Sequence, residues 1–73
     1  MIKNYENLAN AIILQAVVDY RKALRTLSLY PYNREARGKE QSIRRFFRSG
    51  WFKVLTNLDP EALIERLNKE VAA

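Results

Sequence analysis

Five arginines, Arg34, Arg37, Arg44, Arg45 and Arg48, stand close together in this chain, and at about 100° per residue a helix would gather them with Gln41 on one arc. A guanidinium is a planar fork of donors, so arginines aligned in this way match phosphate and carboxylate geometry better than lysines do. Lys53 follows just downstream, while Tyr30 and Tyr32 precede the arginines in a stretch that reads as a turn. Rings held there are free to stack on a base. The chemistry on offer is anion binding, with Arg34, Arg37, Arg44, Arg45, Arg48 and Lys53 on phosphates and Tyr30 or Tyr32 against a ring. Two other readings stay open: an ordinary solvated helix face, and pairing of the same arginines with acids on a partner copy.

Catalysis has little to work with. The chain contains no cysteine and no histidine, which removes thiolate nucleophiles, the commonest general base and the usual zinc ligands. Ser28, Ser42 and Ser49 therefore lack an activating imidazole, and no glycine-rich phosphate loop is present. Glu61 and Glu65 share a helix face but read as solvated decoration, with no burial to raise a carboxyl pKa. The expectation is a protein that is not an enzyme and takes no cofactor or metal. A helix-turn-helix reader of DNA is a weak match as well. No small-residue turn precedes residues 34–49, and five arginines with one glutamine suit phosphates more than base edges.

The elements that must position these residues are helical. Seventy-three residues form a single helical domain, residues 1–73, near the size at which one core only just offsets chain entropy, so that self-association is an expected source of extra burial. The net charge is +5, yet the segment Arg21–Lys53 holds ten basic residues against Glu35 and Glu40, giving +8, and the flanks together carry −3. Such concentration favours an anionic partner. No apolar run approaches the roughly 18 residues of a membrane span, and no signal-peptide pattern opens the chain. A soluble, cytoplasmic protein that does not enter a membrane is expected.

Residues 5–28 place apolar side chains from Tyr5 to Leu27 in one arc, predicting a long amphipathic helix with Asn4 as its N-cap and Glu6 in its first turn. Ala11, Leu14 and Val18 form a second apolar stripe on the opposite face, flanked by Asn7, Asn10, Gln15, Arg21 and Arg25. Either a later helix covers it, or it is an interface between copies. Pro31 marks a turn and Asn33 caps a basic second helix over 34–49, whose Ala36, Ile43, Phe46 and Phe47 face inward. Gly38 weakens that helix and marks a possible fray or bend. Gly50 then takes a conformation that other residues resist, and a short helical turn runs from Trp51 to Thr56, with Trp51, Phe52, Val54 and Leu55 packed inward. Asp59-Pro60 starts the last helix, which buries Leu63, Ile64, Leu67 and Val71 and sets Glu65 four residues before Lys69. The fold class predicted is all-α: a compact bundle of one long N-terminal helix, a basic second helix, a short turn of helix and a C-terminal helix.

The segments Tyr5-Glu6-Asn7-Leu8-Ala9-Asn10-Ala11-Ile12, Asp19-Tyr20-Arg21-Lys22-Ala23-Leu24 and Arg45-Phe46-Phe47-Arg48-Ser49-Gly50-Trp51-Phe52-Lys53-Val54-Leu55-Thr56 resemble a family of small proteins encoded by phages and prophages of Gram-positive bacteria. The family often carries an acidic residue where Gly50 stands here. The resemblance brings no established activity. It implies a protein working in a host bacterial cell by stoichiometric binding, and similar in kind to small helical sponges that hold cyclic nucleotides between subunits. The leading expectation is a phage-encoded, homo-oligomeric anti-defence protein that sequesters a phosphate-bearing nucleotide signal. The alternatives are a nucleic-acid-binding accessory protein and an inhibitor that docks its arginine face on a host defence enzyme.

Overall fold

A computed structural model describes the backbone of residues 2–72 and the side chains of residues 7–71. Four helices follow in order, α1 (Ile2–Leu29), α2 (Arg34–Phe47), α3 (Gly50–Leu55) and α4 (Pro60–Ala72), with no strand among the described residues. The all-α bundle is as predicted. α1 begins at Ile2, ahead of Asn4, so the backbone of Asn4 is helical rather than a cap; the side chains of Asn4, Tyr5 and Glu6 lie outside the described ones.

Local chemistry explains the other boundaries. Tyr30 leaves the helix before Pro31, and Asn33, in extended geometry, accepts the Ala36 N–H on Oδ1 at 2.9 Å to start α2. α2 continues unbroken through Gly38 and ends at Phe47, two residues earlier than predicted. Arg48 is its C-cap and Ser49, whose Oγ accepts the Phe52 N–H at 3.3 Å, is the N-cap of α3. Gly50 has no positive φ. The turn is made by Ser49, and Gly50 is simply the first residue of α3, so no unusual backbone is required of it. Asp59 caps α4 through Oδ1, which accepts the Glu61 N–H at 3.0 Å.

α2 folds back antiparallel along α1, and α4 reverses again to lie against both. Arg48 at the end of α2 meets Glu61 at the start of α4, while Asn68 and Glu70 further along α4 reach Tyr20 and Arg21 of α1. The core where they meet is built on Ile13, Tyr20, Phe47, Phe52, Ile64 and Leu67, with Phe46, Leu24 and Leu63 half-buried around it. Tyr20, Phe47 and Phe52 are fully enclosed. Their rings pack edge to face, Tyr20–Phe47 at 5.6 Å and Phe47–Phe52 at 5.5 Å between centroids, an arrangement worth about 0.5–1.5 kcal/mol per pair beyond burial.

One expectation about packing fails. Trp51 and Val54 do not pack inward; they are 57% and 76% exposed. A six-residue helix has room for little more than one inward position, and Phe52 occupies it. The stripe of Ala11, Leu14 and Val18 is exposed, which removes the first of the two alternatives for it. No later helix of this chain covers it.

Candidate anion-binding site

The five arginines do share the outward arc of α2, but they do not form one uniform face. Arg44 donates to Glu40, one turn back on the same helix. Glu40 is buried, and the hydroxyl of Tyr20 approaches it at 3.4 Å and Asn68 Oδ1 at 3.5 Å, both long for an O–H donor. Arg44 is therefore the counter-charge of an internal polar cluster linking α1, α2 and α4. Its Nε is itself buried without a partner. The position of Glu40 next to the core side of α2 acquires meaning only once the Tyr20 hydroxyl of α1 is brought against it.

Arg48 is committed too. Its Nε and Nη2 donate to the two carboxylate oxygens of Glu61 at 2.7 and 2.8 Å, a bidentate pair. That contact holds the Glu61 carboxyl below the usual carboxylate range, the hydrogen bond from Arg48 being the main cause. Arg21 grips Glu70 in the same way, at 2.8 and 3.2 Å, and lowers its pKa similarly. Lys69 and Glu65 form the expected exposed pair at 3.2 Å.

What remains on the outward arc is Arg34, Arg37 and Arg45, all exposed. Among the described residues none of the three has a carboxylate partner; Arg37 spends one N–H on the Pro31 carbonyl at 3.0 Å. From Arg34 to Arg45 the helix rises about 16 Å. Lys53 is exposed on α3, and Tyr30 and Tyr32 stand exposed beside the start of α2, so they flank the N-terminal end of the arginine row, whereas Lys53 follows its other end. The predicted site thus separates into an internal pair, an inter-helix pair and a free row.

A groove of about 570 Å³ runs alongside, between α1 and the first turns of α2. Ala23, Ala36 and Gly38 leave it open, and Lys22, Arg34 and Lys39 bring positive charge to it, offset by Asp19 and Glu35. No group of three or more metal-ligating side chains is present among the described residues. Among the described residues, no helix is long and apolar enough to cross a membrane. Comparison of the chain with known protein families, curated proteins and solved structures finds no match.

Proposed function

We propose that this is a non-catalytic binding protein whose α2 face holds the phosphate backbone of a nucleic acid. The observation that carries the reading is the contrast among the arginines. Arg21, Arg44 and Arg48 have intramolecular carboxylate partners, while Arg34, Arg37 and Arg45 are exposed together without one. A row about 16 Å long on the outward arc of one helix extends beyond the groove that Arg34 lines, and it spans roughly five phosphates of one strand at about 3.4 Å each. Tyr30 and Tyr32 offer rings to unpaired bases at one end. Phosphate contacts of this kind carry little sequence information, so binding is expected across many sequences. The test is fluorescence anisotropy of labelled single- and double-stranded oligonucleotides of unrelated sequence. Comparable binding at low salt, weakening steeply as salt rises, supports the reading; no binding at low salt contradicts it.

The groove between α1 and α2 favours a second reading, sequestration of a small phosphate-bearing nucleotide signal as a phage-encoded counter to host defence. Its volume suits a ligand of that size, and Lys22, Arg34 and Lys39 offer cations. This reading predicts a rise in melting temperature with a specific nucleotide from a panel of linear and cyclic ones, and it fails if none produces a shift.

A further inference from the structure

From Asn7 to Val18 the chain has no charged residue. In a fully covered helix this would be unremarkable, but here the segment begins beyond the bundle. The first buried side chain of α1 among those described is Ile13, although the helix starts at Ile2. The overhang shows in the shape of the molecule, whose longest extent is 44 Å and radius of gyration 13.1 Å, against about 11 Å for a compact chain of this length. Leu8, Leu14 and Val18 are 59%, 62% and 42% exposed on this segment. Beside them, a mainly apolar groove of about 500 Å³ is formed by Ile12 and Ala16 of α1 with Ile43 and Phe46 of α2; Gln15, Asp19 and Ser42 also line it, and Ala11 belongs to both the stripe and the groove.

We infer that a second copy of this chain occupies that surface, with the two α1 helices antiparallel about a two-fold axis near Leu14 and Gln15. The polar groups on the patch are what select a copy as partner. Asn7 and Asn10 carry exposed amides that both donate and accept, so the patch can hydrogen-bond to itself, whereas a patch rich in one charge would meet its own sign across the axis; Gln15 is engaged within its own copy, donating Nε2–H to Asp19 Oδ1 at 3.0 Å. Charge also sets direction. A parallel pair would bring Arg21, Lys22 and Arg25 of one copy against those of the other. The antiparallel pair lays Arg21 and Lys22 of each copy beside Leu8 and Asn7 in the uncharged segment of its partner and keeps the nearest members of the two clusters about 20 Å apart, beyond the ~8–10 Å screening length.

Size decides how much surface takes part. A strip of α1 from Asn7 to Val18 is roughly 18 Å by 10 Å, too narrow for the ~800 Å² per partner of a standard interface. The contact therefore takes in the groove as well, and Phe46 becomes part of it. This surface lies on α1 and on the α1-facing side of α2, away from Arg34, Arg37 and Arg45, so its failure would leave the phosphate-binding reading untouched.

The test uses the intact chain in sedimentation equilibrium at tens of micromolar. The wild type is expected at twice the chain mass, and Leu14→Glu at the chain mass with an unchanged helical circular dichroism spectrum, since Leu14 is exposed in the single copy. A monomeric wild type, or a Leu14→Glu variant that still dimerises, overturns the inference. Should Leu14→Glu lose helicity, Asn10→Glu probes the same face with a polar-for-polar change and the same two outcomes. Because the chain has no cysteine, direction can be read directly by mixing Ala11→Cys and Val18→Cys proteins under oxidising conditions. Antiparallel pairing gives mainly mixed disulfide dimers, and predominance of like-with-like dimers overturns the antiparallel arrangement.

Discussion

Glu40 and Arg44 show what a single residue can be asked to do in a core this small. Glu40 is a buried carboxylate beside Tyr20 and held by Arg44, and removing one member of such a pair leaves the other's charge with poorer solvation than it had. Arg44 keeps partial access to water, so Glu40→Ala is expected to cost on the order of 2 kcal/mol rather than the larger value of a fully enclosed pair. Urea denaturation followed by circular dichroism measures this; a change below about 0.5 kcal/mol, the scale of ordinary surface substitutions, would show the cluster to be structurally idle. Gly38 offers the opposite case. It lies within α2 with ordinary backbone geometry, and a Cβ added there meets nothing within 4 Å. Gly38→Ala should therefore stabilise the protein by about 0.5–1 kcal/mol, the full helix-propensity difference, in the same denaturation experiment.

At the scale of elements, the inter-helix ion pairs predict an acid response. The Glu61 and Glu70 carboxyls sit below their usual range because Arg48 and Arg21 donate to them. A carboxyl whose folded-state pKa is depressed contributes stability that is present above its unfolded value, about 4.3, and lost as pH falls through the lower folded value. The melting temperature should thus fall as pH drops below about 4, and the double variant Glu61→Gln with Glu70→Gln should flatten that fall. Both pairs are exposed, so the effect should be small and shrink with added salt. Which of these elements could be read from the sequence follows from how local each cause is. Asn33, Asp59-Pro60 and the periodicity of α1 and α4 act within a few residues, and the helix boundaries they imply are found within a turn. The inward face of α3 is not local: six residues have almost no periodicity to read, and only the Phe46, Phe47 and Phe52 cluster decides that Trp51 and Val54 stay out. The candidate site was legible as a row of arginines on one arc. Its division was not, because Glu61 reaches Arg48 from α4 and Tyr20 reaches Glu40 from α1.

For the whole molecule, the arginines of α2 and those that tie the helices together fall into two populations, with Arg25 and Arg66 exposed elsewhere. Arg21 and Arg48 fasten α4 to the other helices and Arg44 serves the interior, while Arg34, Arg37 and Arg45 face solvent in a row. Net positive charge alone would attract polyanions through any of these residues, so the central claim is that the free row, and not the total charge, makes the contact. The direct measurement is the salt dependence of oligonucleotide binding by the wild type, by the triple variant Arg34→Ala, Arg37→Ala, Arg45→Ala, and by Arg21→Ala with Arg48→Ala as a control that also removes cations. Each phosphate contact contributes about 0.9 to the slope of log affinity against log salt on duplex DNA. The account predicts that the triple variant loses roughly 2.7 from the magnitude of that slope while the control loses far less. Equal losses, or a triple variant that binds as the wild type does, would contradict it.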